Sequence, residues 1–281
     1  MEQVEIKKDI EFANHGGVSL QGDLYRPKAP GKYPTMVAVH GGGWQLANRP
    51  VYQHWGPWLA ERGYATFACT YRLSKPGQKT FPDAIQDVRA AVQFVRGNAS
   101  ELGVDPDRIG MVGDSAGAHL AAMVALAGEH PTFKDGNAGD KYGKVSTQVK
   151  LMVGSYGVYD LYQQWRHDLV SRVRDSIVEK FLGVSAIDEK RPYFEGSPIS
   201  YISGKNNGTA FLVVWGDTDD IVDHKTQSEM FLEALKQAGH FARPVAVTGA
   251  PHFWMADPIN EQNSHSGFLA PRMLRFLQMK L

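Results

Sequence analysis

Five residues, Gly113-Asp114-Ser115-Ala116-Gly117, constrain the fold of this chain more than any others. Before them runs Arg108-Ile109-Gly110-Met111-Val112, short and apolar as a buried strand is. After them comes Ala118 to Ala127, rich in helix formers and apolar almost all round. A strand that passes into a helix through a single G-x-S-x-G turn leaves the serine hydroxyl exposed above the sheet. The flanking glycines remove side-chain bulk where the backbone must bend tightly. In this setting the pattern predicts a nucleophilic Ser115 rather than an ordinary glycine-rich loop.

A serine is a weak nucleophile without a base, and the base needs an acid to orient it. Downstream, Ala210-Phe211-Leu212-Val213-Val214-Trp215 reads as a buried parallel strand and leads into Gly216-Asp217-Thr218-Asp219-Asp220-Ile221-Val222-Asp223. A helical stretch follows from Thr226 to Ala238, with Phe231, Ala234, Leu235 and Ala238 on one face and Gly239 as its stop. The next strand, Arg243 to Val247, runs into Gly249-Ala250-Pro251-His252-Phe253. An acid on one post-strand loop and a histidine on the next would lie at the same carboxyl edge of a sheet as Ser115. His252 is the expected base; the residues alone leave Asp217, Asp219, Asp220 and Asp223 open as its acid.

A third element lies upstream, where the strand Tyr33 to Val39 leads into His40-Gly41-Gly42-Gly43-Trp44. Backbone N–H groups that converge on one developing negative charge need shapes that side chains obstruct, and a glycine run supplies them. The N–H of Ala116, beside the nucleophile, would complete such an oxyanion hole.

With these motifs in serine, acid, histidine order, the chain resembles the α/β-hydrolase fold. Within it, it is similar to the HGGG carboxylesterases related to hormone-sensitive lipase and to the bacterial feruloyl/acetyl-esterase-like group. The resemblance runs from about Val18 to the C-terminal helix and includes Tyr71-Arg72-Leu73, Phe81-Pro82-Asp83-Ala84, Asp105 to Ile109, Ser197 to Tyr201 and Gly216 to Asp219. It implies Ser115 as nucleophile, Asp219 as acid, His252 as base, and Gly42, Gly43 and Ala116 as oxyanion donors. It implies a small carboxylic ester, with a short acyl or aromatic group, cleaved through an acyl-enzyme. The His-Gly-Gly-x-Trp form also looks like arylformamidases, which makes amide cleavage with the same residues the alternative. Asp220 and Asp223 stand where relatives often carry prolines. A rival of another class is a small-molecule receptor built on a hydrolase scaffold. Such receptors lose a triad member or an oxyanion glycine, whereas this chain keeps them all.

From Pro34 onward strands alternate with helices, which predicts a mostly parallel sheet covered on both faces. Val4–Phe12 and Val18–Tyr25 read as a hairpin around Asn14-His15-Gly16-Gly17. Ile85, Val88, Val92 and Val95 share one face of a helix from Asp83, and Leu269 to Leu281 gives another amphipathic helix. All 281 residues read as one α/β domain. The alternation breaks once: after Lys150 to Gly154 no strand signal returns until Ala210. That interval predicts a small helical cap at about 155–208, helical from Leu161 to Leu182, with Arg172 and Arg174 on a solvated helix face. Its aromatics Tyr156, Tyr159, Tyr162 and Trp165 are candidates to line an apolar pocket, with Trp44, Tyr71, Phe253 and Trp254.

The charge balance excludes a nucleic-acid or anionic-membrane footprint, since 30 Lys and Arg match 30 Asp and Glu. No run approaches the roughly 18 apolar residues of a membrane span, and Met1 to Lys8 has no apolar signal core, so a cytoplasmic enzyme is expected. Cys69, the only cysteine, reads as a buried apolar residue. There is no P-loop, G-x-G-x-x-G or Cys/His ligand cluster, and neither metal nor cofactor is expected. Of the other histidines, His40 is expected to brace the glycine loop and His119 to pack, hydrogen-bonded, beneath the nucleophile.

Overall fold

The structure is a computed structural model that describes residues 3–136 and 139–281; Met1 and Glu2 of the N-terminal stretch read above lie outside the described residues. Among the described residues eight strands form one sheet: β1 (Val4–His15), β2 (Val18–Pro27), β3 (Tyr33–Val39), β4 (Ala65–Cys69), β5 (Val104–Asp114), β6 (Leu151–Ser155), β7 (Ala210–Gly216) and β8 (Ala242–Val247). Their order across the sheet is β1-β2-β4-β3-β5-β6-β7-β8. The hairpin strands β1 and β2 are antiparallel to their neighbours, and β4, β3 and β5 to β8 run parallel.

The helices are α1 (Trp55–Ala60), α2 (Asp83–Gly97), α3 (Ala99–Leu102), α4 (Ala116–Ala127), α5 (Pro131–Lys134), α6 (Leu161–Ser171), α7 (Ile177–Leu182), α8 (Arg191–Glu195), α9 (Met230–Gln237) and α10 (His265–Lys280). Successive residues of a strand point to opposite faces, so apolar strands buried on both sides build two cores. Met36 and Ala38 of β3 pack with Trp55 and Leu59 of α1 and Leu269 and Met273 of α10. Val37 and Val39 of the same strand pack on the other face with Ile85 and Val88 of α2 and Leu120 and Met123 of α4. The sheet is a floor between two helical layers, and the loops that leave the ends of β3, β5, β6, β7 and β8 share its carboxyl edge.

Two departures from the sequence reading bear on the site. The stretch from Leu161 to Leu182 is two helices, and Arg172 and Arg174 lie in the break between them rather than on a helix face. Arg174 has φ 63° there. The buried carboxylate of Asp168 holds the break: it accepts from the Gln164 side chain, the Ile177 N–H and the Ser176 hydroxyl. Ser176 caps α7 by accepting the Glu179 N–H, so Ser176-Ile177-Val178-Glu179 carries a capping-box pattern that marks the restart. The second departure follows β7, where Lys225–Glu229 is a wide π turn before α9, and the Gln227 side chain accepts the N–H groups of Tyr159 and Asp160. The C-terminal helix also begins earlier than its periodicity suggests, at His265, capped by Ser264.

Packing under the hairpin is tight enough to test. A β-carbon at Gly22 of β2 would lie 2.1 Å from the Phe67 ring, which itself sits between Phe12 and Phe94 at centroid separations of 6.0 and 5.7 Å. Gly22→Ala is therefore expected to lower unfolding stability by about 1–3 kcal/mol through overpacking. Urea denaturation checks this; an unchanged midpoint would mean the ring is free to move.

Candidate active site

Ser115 stands between the end of β5 and the start of α4 with φ 51° and ψ −121°. The glycines of its motif are required by contact rather than by flexibility. A β-carbon on Gly117 would lie 2.0 Å from the Val39 carbonyl oxygen, and one on Gly113 2.4 Å from the Gly117 carbonyl oxygen. The helix is thus drawn against the end of β3, and the turn has one shape available. The Ser115 N–H donates to the Ser155 carbonyl at 2.9 Å, which ties the turn to β6.

From the loop after β8, His252 comes to this hydroxyl, and from the loop after β7, Asp219 comes to His252. The distances are 2.9 Å from Ser115 Oγ to His252 Nε2 and 2.6 Å from His252 Nδ1 to Asp219 Oδ2. A carboxylate can only accept, so the Nδ1–H donates to Asp219, and Nε2 is left to accept the serine hydroxyl. Asp219 Oδ1 accepts the N–H groups of Ile221 and Val222 at 2.9 and 3.0 Å, which fixes the carboxylate in its loop. Two of the neighbouring acids are engaged elsewhere. Asp217 accepts the Gly249 N–H at 2.6 Å in an exposed position, and Asp223 caps its own turn through Lys225 and Thr226. Such a chain can pull a proton from the serine hydroxyl toward Nε2.

Opposite this chain lies the glycine loop. Gly42 has φ 106°, and its carbonyl accepts the N–H groups of Gln45 and Leu46 in a tight turn where a side chain would strike the Leu46 carbonyl. Gly43 follows at φ 59°. Both line a cleft of about 420 Å³ with Ser115 and His252. Ala116 opens α4, whose first-turn N–H groups have no partner within the helix. His40 Nδ1–H donates to the Gly41 carbonyl at 2.8 Å, and the ring stacks on Tyr71 at 4.5 Å. At the floor Asp114 is buried, which pushes its carboxyl up to about 6 against the hydrogen bonds from the Tyr52 hydroxyl and the Gly41 N–H.

Of the eight aromatic residues named as candidates for an apolar pocket, the structure places Phe253 and Tyr156 on the cleft. Trp44 is fully buried, stacked on Phe181 at 4.6 Å, with its indole N–H donating to His119 Nδ1. Tyr71 spends its hydroxyl on the His40 carbonyl at 3.0 Å. Trp165 donates to Glu179 at 2.8 Å and stacks on Tyr162. Trp254 packs edge-on against Tyr156 at 5.1 Å. Large rings gain most where all of their surface is covered, and these four are covered. Of the excursion's tyrosines, Tyr156 lines the cleft, with its ring 4.5 Å from that of His252, while Tyr159 is buried against Phe231.

The rest of the lining escaped the sequence reading. Leu46, Val51, Ile177 and Ile221 give it an apolar surface, and Arg172, Asp175 and Lys180 stand on the wall made by the break before α7 and by α7 itself. Only the capping pattern at Ser176 hints at that wall, since nothing in the composition of 172–180 points to a cleft. Among the described residues no group of three or more His, Cys, Asp or Glu side chains comes together as a metal site would need, and no helix is long and apolar enough to cross a membrane.

With the geometry in place, comparison with known proteins gives the family. The BD-FAE family model matches residues 22–235. This chain belongs to the BD-FAE family. Its fold is the α/β-hydrolase fold, in agreement with the resemblance drawn from the motifs. It is 33% identical over 236 residues to esterase LipQ of Mycobacterium tuberculosis, covering 82% of this chain and 53% of that protein. It is 30% identical over 252 residues to LipM, named a probable carboxylic ester hydrolase, of the same organism, covering 86% and 54%. The chain spans about half the length of these curated relatives. Among solved structures, esterase 2 of Thermogutta terrifontis in its native form superposes with a TM-score of 0.77 at 25% identity, over 98% of this chain and 92% of that one.

His119 gives the site a pH signature. Burial drives its imidazole down from 6.5 to about 4, where it takes the Trp44 N–H and meets the Gly196 carbonyl at 2.7 Å. As pH falls from 6.5 towards 4, the unfolded chain binds a proton that the folded one refuses, so stability falls, by up to about 3 kcal/mol from this residue. Unfolding free energies of wild type and His119→Gln, measured from pH 7 down to 4.5, should show a shallower loss in the variant. Parallel curves would place the acid sensitivity elsewhere.

Proposed function

We propose that this chain is a serine carboxylic ester hydrolase that works through an acyl-enzyme on Ser115. The observation that carries the reading is the continuous Asp219–His252–Ser115 hydrogen-bonded chain opening into a cleft beside the glycine loop. In the first half-reaction His252 Nε2 takes the proton of the Ser115 hydroxyl while Oγ attacks the ester carbonyl. The negative charge that forms on the carbonyl oxygen falls to the N–H groups of Gly42, Gly43 and Ala116. Collapse breaks the bond to the alcohol, which leaves with the proton from Nε2. Water then repeats the sequence on the acyl-enzyme and releases the acid. Asp219 keeps the Nδ1–H tautomer and stabilises the imidazolium at each stage.

The names of the relatives, esterases and carboxylic ester hydrolases, support an ester over a formamide as substrate. A cleft of about 420 Å³ with apolar walls supports a small ester with a short acyl or aromatic group. A structure of the Thermogutta terrifontis esterase with propionate bound, 27% identical to this chain, supports the same size range. We read residues 155–208 as a cap on a single α/β-hydrolase domain, because the stretch 172–180 walls the cleft above Ser115.

The acid is the assignment that separates this geometry from its neighbours. Asp219→Asn is expected to fold normally and to lower kcat on an activated short-chain ester by about 10³- to 10⁴-fold, through the wrong histidine tautomer. Asp217→Asn and Asp220→Asn should stay within about tenfold of wild type, since neither side chain meets the imidazole in the structure. Steady-state kinetics of the three variants side by side check this. A crippled Asp217→Asn beside a near-normal Asp219→Asn would move the acid two residues upstream.

A further inference from the structure

The ionisable groups of the cleft are sorted by depth. The floor holds Asp114, buried and tied to Tyr52 and Gly41. The outer wall holds Arg172, Asp175 and Lys180, whose side chains are 33%, 55% and 40% exposed. Asp175 serves both cations: it lies 3.6 Å from the Arg172 guanidinium and accepts a hydrogen bond from Lys180 Nζ. That hydrogen bond holds the Asp175 carboxyl below its usual range, so it is ionised at neutral pH. Asp175 is shared between the two cations at the cleft surface, while the buried carboxylate of Asp168 faces Arg172 from behind the wall.

The surroundings turn the two cations toward the cleft. Ile177, between the charged residues in sequence, presents its side chain beside the glycine loop, with its Cγ2 3.8 Å from where a Gly43 β-carbon would be. The wall therefore adjoins the loop that receives the oxyanion, and the apolar surface between them focuses the field of the cations into the cleft. A ligand's negative charge placed deep would meet Asp114; placed at the outer wall it meets Arg172 and Lys180. The gradient from floor to rim sets an orientation as well as a preference.

We propose that the ester cleaved here carries a free carboxylate, held against Arg172 and Lys180 at the outer wall while its reacting carbonyl meets Ser115. The inference rests on the serine-esterase reading. Asp175 is the competing anion, and its removal frees both cations for the ligand.

The test compares kcat/KM for matched charged and neutral esters. Monoethyl against diethyl adipate places the carboxylate on the acyl side; para-acetoxybenzoate against its methyl ester places it on the alcohol side. Wild type, the double variant Arg172→Gln/Lys180→Gln and Asp175→Asn are assayed at low and high ionic strength. For one of the two pairs, the charged-to-neutral ratio of kcat/KM should fall roughly tenfold in the double variant and rise about threefold in Asp175→Asn, with added salt eroding the difference. Ratios unmoved by either variant, for both pairs, would overturn the inference and leave the esterase reading standing. Asp175→Asn alone decides if the double variant fails to fold. Failure of wild type to cleave any of the four esters, with Ser115 unreactive, would overturn the esterase reading and this inference together.

Discussion

The site depends on one strained turn. Ser115 holds φ 51° and ψ −121°, a backbone shape that an L-residue adopts at a cost of about 1–3 kcal/mol and keeps only when its surroundings enforce it. Here they do. Gly117 lets α4 approach the Val39 carbonyl too closely for any side chain, and the Ser115 N–H is anchored on the Ser155 carbonyl of β6. Neighbouring strands on both sides of β5 thus fix the direction of one hydroxyl. Once that direction is set, the parallel sheet brings the loops after β7 and β8 to the same edge, and His252 and Asp219 reach the hydroxyl in line.

Much of this was legible because it is local or periodic. The elbow, the apolar strands and the alternation from Pro34 onward each leave a pattern within a short window of sequence, and the sheet follows from that alternation. Ser115 and His252 could be picked out from chain order. The choice among Asp217, Asp219, Asp220 and Asp223 could not, because it turns on which carboxylate the loop aims inward. In the structure Asp219 is the carboxylate that meets His252 Nδ1, with its second oxygen pinned by two backbone N–H groups, while Asp217 faces Gly249 at the surface.

Sequence reasoning failed where burial competes with recognition. Trp44 and Trp254 lie close in sequence to the site, Tyr71 in a motif of the resemblance and Trp165 in the 155–208 interval, yet each buries its ring and gives its polar atom or edge to a neighbour in the core. Proximity in sequence to a functional loop does not distinguish a ring that lines a cleft from one that supports the loop from behind. The real lining comes partly from the break between α6 and α7, held by the buried carboxylate of Asp168. That break has no glycine or proline to announce it, and a residue with positive φ there is an arginine. The result is a cleft whose deep end is built from the elbow and the glycine loop and whose outer wall comes from the 172–180 stretch.

On the proposed reading, the hydroxyl at the elbow is a nucleophile activated by the imidazole beside it. A fluorophosphonate probe reports that property directly, since it bonds covalently to an activated serine and requires no knowledge of the natural ester. Intact-mass measurement followed by peptide mapping should find one probe per chain, located on Ser115, with labelling slowed by orders of magnitude in His252→Ala. Labelling at another residue, or labelling of Ser115 at the wild-type rate when His252 is absent, would mean that the imidazole does not activate this hydroxyl.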